Sequence, residues 1–518
     1  MAFTNHLHFE MSWKALFDVV FVVLGLLFVK QLISSHRRRA RPLGPKGWPI
    51  IGNLLDMPNE KQHLTFCHWA DQWGGIIYLK ILGQPMIIIN SLQAANDMLE
   101  KKSNLYSDRP LLEMAGEIVG FKDTLALSPY GERWRESRRM MHRIMGSRTN
   151  LEKFHPVEEL ETRRFLKCVL DQPDSAHLHN HLCSTAGALI LGITHGYCTK
   201  EKDDPFIDLA DETLINFSDL TVPGAFLVDI FPILRYVPDW FPGTAWKQDA
   251  AKFRETLHRA VDLPHEYVKQ QLAAGIATTS FTSMYLEDEK MSNEKEKLLK
   301  WLTASIVGGG ADTTVSATYS FFLLMTLHPE IQKKGQAEID AVVGKDRLPS
   351  LNDRFSLPYI EAIMKEVMRW EPIGPTGLAH RLMEDDIQDR YLIPSGSIVV
   401  TNIWKFLHDE KVYKNPFKFH PERFMATKTH TPEPDPRMAF GWGRRICPGM
   451  QMAEASMFIW FALSVFNISK AVENGIVITP KVDYTDTTIR HPKPFKCSIT
   501  PRLEQAIALI RSVELSQD

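Results

Sequence analysis

The stretch that decides the fold is Phe440-Gly441-Trp442-Gly443-Arg444-Arg445-Ile446-Cys447-Pro448-Gly449, and a long helical pattern follows it from Gln451. It places one cysteine among three glycines, with two arginines shortly before it. Guanidinium charge, free backbone N–H groups and the amino end of a helix all favour a thiolate over a thiol. An isolated cysteine of this kind is more often a buried structural thiol. Here glycine would let a flat ring approach the backbone, and arginine would pair with carboxylates, so the combination favours a ligand for an anionic, ring-shaped metal complex.

The composition is that of an ordinary globular chain with a large core. The 518 residues are 44% hydrophobic and 24% charged. Sixty Lys and Arg against 62 Asp and Glu give a net charge of −2, so the chain has no general attraction to nucleic acid, and we expect no nucleic-acid partner. The six cysteines form no CxxC pair, which argues against a disulfide scaffold or a zinc ribbon and favours a reducing compartment.

The amino terminus carries a candidate membrane anchor. Residues 15–29 are apolar except for Asp18, and Leu32 and Ile33 extend the run to about 20 residues, the length of a membrane helix. Arginines follow the run instead of preceding it, which favours an uncleaved anchor over a signal peptide and keeps the rest of the chain in the cytosol. A buried soluble helix is the alternative, but the prolines and glycines that come next would break it.

These patterns divide the chain into three parts. We predict a tail and membrane anchor helix over residues 1–36, a basic and proline-rich hinge over 37–52, and one folded domain over 53–518. Helical periodicity dominates the domain, without internal repeats. The fold class predicted is mainly α, a single large helical domain with a small β region. A hairpin is expected where Ile76–Ile81 and Met86–Ile89 flank Gly83.

Three helical patterns have both a structural and a functional interpretation. Gly308, Gly309 and Gly310 interrupt the apolar pattern of 301–327, after an exposed charged segment over 287–300, and serve either close helix packing or an opening beside a site. Glu366 and Arg369 share a helix face, as any surface ion pair does. Trp134 and Arg138 also share a face and could be a cation–π pair at the surface.

The quoted stretch matches FxxGxRxCxG, the haem-binding signature of the cytochrome P450 superfamily, at Phe440, Gly443, Arg445, Cys447 and Gly449. The chain resembles this superfamily from the hinge to about Pro494. The resemblance implies haem b as the cofactor, with Cys447 as the axial thiolate ligand of the iron. It also agrees with a mainly helical domain.

The same resemblance assigns the other patterns. Thr313 would bind dioxygen and Asp312 would support proton delivery, since Gly309–Thr313 matches the oxygen-binding segment of the superfamily. Arg423, in Pro421–Phe424, would join Glu366 and Arg369 in a structural cluster. The residues implied in haem binding are Phe440 and Cys447, with Trp134, Arg138, His380, Arg445 and Arg109 at the propionates.

The implied activity is a monooxygenase that inserts one atom of O2 into a C–H bond of a hydrophobic or amphipathic small molecule. No flavin or NAD fingerprint is present, so NADPH would act indirectly, through an NADPH–cytochrome P450 reductase. Local sequence resembles microsomal enzymes of fungal secondary metabolism, which implies a single-pass protein of the endoplasmic reticulum membrane with its catalytic domain facing the cytosol. The segment 226–241, rich in aromatic residues and proline, could contact the membrane or pack as an ordinary loop.

Family topology places five segments around the substrate pocket: 111–127, 217–226, 306–314, 373–378 and 487–488. Two alternatives to oxygenation remain. One is a haem-thiolate isomerase or dehydratase, which would need neither Thr313 nor Asp312 for proton delivery. The other is a haem-binding membrane protein without turnover, which would leave the catalytic features unused.

Overall fold

The computed structural model describes residues 40–200, 203–222, 226–288, 291–462, 465–502 and 504–512. The anchor predicted over residues 1–36 lies outside them. Among the described residues, no helix combines the length and the apolar character that crossing a bilayer requires. The boundary predicted between residues 52 and 53 stays a prediction.

Helices dominate the described chain, in agreement with the periodicity of the sequence. Between them lie short 3-10 and π turns. The α-helices are α1 (Gln62–Trp73), α2 (Leu92–Ala95), α3 (Ser103–Tyr106), α4 (Glu132–Met145), α5 (Arg148–Leu151), α6 (His155–Asp171), α7 (Ser175–His195), α8 (Pro205–Leu220), α9 (Leu227–Ile230), α10 (Trp246–Ala273), α11 (Phe281–Leu286), α12 (Asn293–Leu327), α13 (Pro329–Val342), α14 (Pro358–Trp370), α15 (Ile403–Leu407), α16 (Met450–Ala462) and α17 (Glu504–Arg511).

Three small sheets make up the β region. The first has the order β1-β2-β6-β3, the second pairs β4 with β5, and the third has the order β8-β7-β9. In the first sheet β2 pairs antiparallel with β1 and parallel with β6. The strands are β1 (Ile76–Ile81), β2 (Gln84–Ile89), β3 (His380–Arg381), β4 (Asp386–Gln388), β5 (Tyr391–Ile393), β6 (Ile398–Thr401), β7 (Phe466–Glu473), β8 (Ile476–Ile478) and β9 (Cys497–Pro501).

The predicted hairpin is present as β1 and β2, with its second strand starting two residues earlier than expected. Leu82 and Gly83 both have positive φ angles, 47° and 94°, as a two-residue turn between antiparallel strands requires. The described end of the hinge lies against the first two sheets, since Tyr78 N of β1 donates to Leu43 O at 3.0 Å and Leu392 N of β5 donates to Ala40 O at 3.0 Å. Residues 40–52 are therefore hydrogen-bonded to the domain.

Helix α12 is the longest element, with 35 residues. It begins at Asn293 and not near Trp301, so the charged segment is mostly exposed, as expected, but most of it already belongs to the helix. Ser292 accepts a hydrogen bond from Lys295 N, and Glu294 and Glu296 stand in the first turn, where acidic groups stabilise a helix end. The apolar pattern marks only the part of the helix that is buried.

The main core surrounds the second half of α12. Phe321 of α12 stacks on Phe461 of α16 with ring centroids 4.2 Å apart, and Val367 of α14 lies in the same cluster. Helix α16 directly follows the cysteine stretch, so burial of its apolar residues fixes that stretch relative to α12.

Glu366, Arg369 and Arg423 meet in a fully buried cluster. Arg369 donates to both carboxylate oxygens of Glu366, at 2.7 and 2.9 Å, and Arg423 Nε donates to Glu366 Oε1 at 3.2 Å. Arg423 also pairs with Glu433 at 2.6 Å. The side chains of Glu366 and Arg369 have no exposed surface, so the interpretation of this pair as a surface ion pair was wrong.

Replacing Glu366 by glutamine would leave two buried guanidinium groups without their shared carboxylate. We expect Glu366→Gln to lower the free energy of unfolding by about 3–5 kcal/mol, the usual cost of breaking a buried ion pair. The matched control is Glu136→Gln, because Glu136 and Arg139 form the same i,i+3 pair at the surface, with 32% and 60% of their side chains exposed. That control should cost less than about 1 kcal/mol. Thermal unfolding followed by circular dichroism measures both; equal losses would contradict this account of the cluster.

Candidate active site

A short folded loop presents Cys447. Cys447 N donates to Phe440 O at 2.8 Å, and Arg445 N donates to Trp442 O at 3.1 Å, so the loop closes on itself. Gly443 has a φ of +52°, and a side chain there would collide with the carbonyl of Leu99. This position therefore requires glycine, both for its backbone angle and for the space.

The turn over residues 96–101 holds the same loop from outside. Glu100 Oε2 accepts a hydrogen bond from Gly443 N at 2.6 Å, and Asn96 Oδ1 accepts one from Trp442 Nε1 at 2.9 Å. Sequence reasoning missed Asn96 and Glu100, because no local pattern connects residues more than 300 positions apart.

The sulfur of Cys447 lies three residues before α16 begins. Burial raises the pKa of the Cys447 thiol, and a hydrogen bond from the backbone of Gly449 and the charge of Arg138 oppose this effect. A backbone N–H and a guanidinium charge, two of the influences expected from the sequence, thus act on this sulfur, and burial acts against them. A metal cation bound to the sulfur would supply the missing positive charge, because a coordinating thiol loses its proton.

Cys447 and Phe440 line a cavity of about 460 Å³. Gly309, Gly310 and Thr313 of α12 also line it, so the cavity lies between the cysteine loop and the long helix. The rest of the lining is mostly apolar and comes from α7, α8, α10 and the segment after α14; examples are Leu189, Leu209, Val261 and Ile373.

Three buried or half-buried guanidinium groups converge on this cavity. Arg109 donates from Nη1 to Leu378 O at 2.6 Å and to Ala379 O at 2.8 Å. Arg138 donates from Nη1 to Ile446 O at 2.9 Å. Arg445 donates to Ser107 O and Ser128 O, both at 2.7 Å. All three sets of acceptors are backbone carbonyls, which satisfy hydrogen bonds but do not neutralise the charge.

Trp134 packs between two of these cations. The Arg445 guanidinium carbon lies 4.5 Å from its ring centroid, and that of Arg138 lies 5.7 Å away. Only 5% of Trp134 is exposed, so the interpretation as a surface cation–π pair was wrong: the interaction exists, but inside the protein beside the cavity.

Among the described residues, no unpaired carboxylate balances the positive charge at the site. Burial and the charge of Arg109 lower the pKa of Arg445 to about 8, and burial lowers the pKa of Arg109 to about 10. The carboxylate that acts on both groups, Asp108, is already paired with Arg381. A flat ligand with two carboxylates would supply the missing negative charge, so the residues present fit a haem with its propionates at the arginines and its iron at Cys447.

His380 also lines the cavity and is 8% exposed. Its Nδ1 lies 2.7 Å from Tyr106 O, and because a carbonyl only accepts, this nitrogen carries the proton. Burial and the charge of Arg109 lower the pKa of His380 to about 3, so the ring is neutral. To donate from Nε2 to a propionate it would have to take up a second proton, which an adjacent carboxylate favours.

The glycines of α12 divide between the two interpretations. A side chain at Gly310 would come within 2.7 Å of Ile190, so Gly310 serves close packing of α12 on α7. A side chain at Gly309 would meet nothing within 4 Å, so Gly309 leaves the cavity open.

Thr313 donates to Gly309 O at 2.7 Å. Asp312 is not part of the lining and pairs instead with His491, at 2.8 Å.

The predicted pocket segments all contribute to the lining, through Phe121, Phe217, Ile306, Ile373 and Thr488 among others. Sequence reasoning missed most of the α7, α8 and α10 surface. The sequence pattern that could have indicated this surface is the helical spacing of the apolar residues in α8. The same pattern is typical of ordinary core, so the sequence cannot distinguish the two. The lining residues missed there are Ala186, Leu189, Ile190, Leu191, Phe206, Leu209, Ala210, Thr213, Leu214, Leu257, Ala260, Val261 and Pro264.

Comparison with known proteins agrees with this geometry. The family model for cytochrome P450 matches residues 42–497. Cytochrome P450 monooxygenase 208 of Postia placenta is 48% identical over 96% of this chain and 97% of its own length. Cytochrome P450 monooxygenase claR of Ampulloclitocybe clavipes is 47% identical over 95% and 92%, and ppsD of Aspergillus oryzae is 42% identical over 96% of both chains.

The family model spans most of the chain, and these relatives, all fungal and all named monooxygenases, match almost its whole length. Haem is the cofactor that this family implies, and the cavity beside Cys447 has the lining residues and the charge to receive it. The chain belongs to the cytochrome P450 family and is a monooxygenase of that family.

Proposed function

We propose that this monooxygenase inserts one atom of O2 into a C–H bond of an uncharged, hydrophobic or amphipathic small molecule, an intermediate of fungal secondary metabolism. One observation carries the proposal. Among the described residues that line the cavity, Arg109, Arg138 and Arg445 are the charged ones, and all three belong to the proposed haem end. A charged substrate would lose its hydration in the remaining, apolar part without gaining a counter-charge.

The cofactor would be haem b, held by the sulfur of Cys447, by Arg109, Arg138 and Arg445 at its carboxylates, and by Trp134, His380 and Phe440 beside the ring. When bound, the haem supplies the activation of dioxygen. The apolar walls orient the substrate and exclude water. Loss of water strengthens every charge interaction within the cavity.

Thr313 and Asp312 would deliver protons. The Thr313 hydroxyl lines the cavity and donates its hydrogen to Gly309 O, which leaves two lone pairs on its oxygen to accept a hydrogen bond from an incoming group. Asp312, the preceding residue, provides the carboxyl group that exchanges protons. This pair favours oxygenation over the isomerase or dehydratase alternative, which would not use it.

Electrons would come from NADPH through a cytochrome P450 reductase. Helix α4, which carries Arg138 on its inner side, exposes Arg135, Arg139 and Arg143 to solvent. These three residues are four positions apart and share one face of the helix, where Arg135 pairs with Glu132 and Arg139 pairs with Glu132 and Glu136. Such a face suits docking of an acidic electron-transfer protein, and its contribution should weaken at high salt.

The proposed activity is tested by co-expressing the chain with a cytochrome P450 reductase and analysing products by mass spectrometry. We expect an oxygenated product that requires NADPH, O2 and the reductase. Thr313→Ala should retain haem and consume NADPH while releasing most of the reducing equivalents as hydrogen peroxide, because proton delivery is lost. The control is Thr318→Ala, five residues further along α12. The buried Thr318 hydroxyl donates to Thr314 O and does not line the cavity.

Product that forms without NADPH or O2 would establish the isomerase or dehydratase alternative. Haem binding without NADPH consumption across a broad panel of apolar compounds would instead indicate a protein without turnover. Full coupling to product in Thr313→Ala would remove Thr313 from proton delivery.

We further infer that the enzyme resides in the endoplasmic reticulum membrane with its domain facing the cytosol, which protease access in intact microsomes tests. The apolar run and following arginines near the amino terminus support this. The described part of 226–241 adds an exposed apolar surface. Its members are Leu227, Phe231, Ile233, Tyr236, Trp240 and Phe241, of which Trp240 is 81% exposed.

If this surface enters the membrane, a probe at its most exposed residue should contact lipid chains. A fluorescent label on Trp240→Cys, in the full chain reconstituted into vesicles, should be quenched by brominated lipids. The control is a label on Phe355→Cys, because Phe355 is equally exposed, at 80%, but lies outside the apolar segment. Labelled wild type corrects for the native cysteines. Equal quenching at both positions, or none at Trp240→Cys, would contradict membrane contact by this segment.

A further inference from the structure

The polar side chains of the cavity away from the haem end are hydroxyl groups. Among the described lining residues, those with a side-chain N–H group belong to the haem end or to the cysteine loop; they are Arg109, Trp134, Arg138, His380, Trp442 and Arg445. The other described walls carry serine and threonine but no asparagine, glutamine, lysine or tyrosine. Side-chain hydrogen bonds to a substrate there depend on what these hydroxyl groups still donate or accept.

The hydroxyl hydrogens on the two helices that wall this part of the cavity are already used. Thr213 of α8 donates to Leu209 O at 2.7 Å. On α12, Ser305, Thr313 and Thr314 each donate to the carbonyl four residues earlier, at 2.6 to 2.8 Å. Serine and threonine commonly bond in this way within a helix. These four side chains therefore turn their hydrogens towards the backbone.

The hydroxyl groups outside α8 and α12 are also committed as donors. Thr124 and Thr401 donate to backbone carbonyls, at 2.6 and 3.4 Å. Ser456 donates to the carboxylate of Glu158 at 3.1 Å. None of these three hydrogens is left for a substrate.

Thr488 completes the set. Its Oγ1 lies 3.2 Å from Thr221 Oγ1, and Thr221 already donates its hydrogen to Phe217 O at 2.8 Å. Thr488 is therefore the donor of the pair. The described side chains of these walls thus offer oxygen lone pairs but no uncommitted hydroxyl hydrogen. A substrate that donates gains a hydrogen bond without breaking one, whereas a substrate that accepts must displace a bond within the protein.

Thr213 is the hydroxyl group best placed to accept from a substrate. It lines the cavity, is half-buried, and receives no hydrogen bond from any described residue. Ser305, in contrast, already accepts from a backbone N–H at 2.9 Å. Thr124, Thr314 and Thr401 are buried. Thr213 thus combines a free oxygen with access to the cavity.

The position of Thr213 suits it to hold one end of a substrate. A side chain at Gly308 would lie 3.5 Å from Cδ2 of Leu214, so the residue after Thr213 packs over α12 five residues before Thr313. Gly309, beside this contact, leaves the cavity open. A group held by Thr213 would therefore lie on the α8 wall, with the rest of the molecule free to reach the opening at Gly309.

We propose that Thr213 is a specificity-determining residue and that the substrate is an alcohol, whose hydroxyl group donates a hydrogen bond to Thr213 Oγ1. This inference rests on the proposed function, because it names the class of substrate for the same cavity. The ketone or the ether of the same skeleton can only accept, so it binds less tightly. The reaction that supplies the substrate therefore leaves a free alcohol, as hydroxylation, ketone reduction or ester hydrolysis does.

The test compares three compounds with one apolar bicyclic skeleton: 2-decalol, which donates and accepts, and 2-decalone and 2-methoxydecalin, which only accept. Calorimetric titration of the haem-loaded full chain measures each Kd. We expect the wild type to bind the alcohol about three- to tenfold more tightly than the other two, the value of about one hydrogen bond. Thr213→Val, which keeps the shape but removes the oxygen, should lose this preference without weakening the ketone. Thr213→Ser should retain it.

The matched control is Thr185→Val. Thr185 of α7 makes the same helical bond, to His181 O at 2.8 Å, but does not line the cavity. Its variant should keep the preference for the alcohol. A second readout is the position of oxygenation. With NADPH and reductase, the wild type should convert 2-decalol mainly to one product, and Thr213→Val should give a mixture, because the substrate is no longer held at one end.

The outcomes separate this inference from the proposed function. Binding of the ketone or the ether as tight as that of the alcohol, or no binding of any of the three, would overturn the recognition of an alcohol. A preference that survives in Thr213→Val, or that is lost in Thr488→Val instead, would overturn the role of Thr213. A preference for the alcohol that depends on Thr213, without an oxygenated product from any apolar compound, would contradict the proposed function and still support recognition at Thr213.

Discussion

The rest of the site depends on buried positive charge for which the described part of the chain supplies no unpaired carboxylate. Arg109, Arg138 and Arg445 point donors at backbone carbonyls around one cavity, and burial lowers the pKa of each. The same cavity contains Cys447, whose thiol is disfavoured as an anion by burial. An uncharged ligand would relieve neither condition. An iron porphyrin with two carboxylates relieves both, because its metal cation stabilises the thiolate and its carboxylates neutralise the arginines.

The packing of the helices fixes the positions of Cys447 and the three arginines relative to one another. Helix α16 anchors the cysteine loop to the core, and α12 crosses the opposite part of the cavity with Gly309 left open and Gly310 packed against α7. The Glu366 cluster connects α14 to the segment before the cysteine stretch without touching the cavity. The buried cluster holds these elements together.

Sequence reasoning reached the mainly helical fold, the first hairpin and the cysteine loop because each depends on local spacing. The glycine at 443, the i,i+4 spacing of Trp134 and Arg138, and the i,i+3 spacing of Glu366 and Arg369 are all visible in the chain. Burial is not visible, which is why the last two pairs could equally have been surface pairs. The support of the loop by Asn96 and Glu100, and of Asp312 by His491, joins residues far apart in sequence and carries no local signal. The start of α12 was misjudged because capping and charge, not apolar periodicity, set the beginning of a helix.

The central claim is that the sulfur of Cys447 binds the iron of a haem within this cavity. The most direct measurement is the absorption spectrum of the reduced protein under carbon monoxide. The account predicts a red-shifted Soret band in the wild type that is lost in Cys447→Ser and kept in Cys67→Ser, where a half-buried cysteine outside the cavity is changed. An unchanged red-shifted band in Cys447→Ser, or a wild type that takes up no haem, would contradict it.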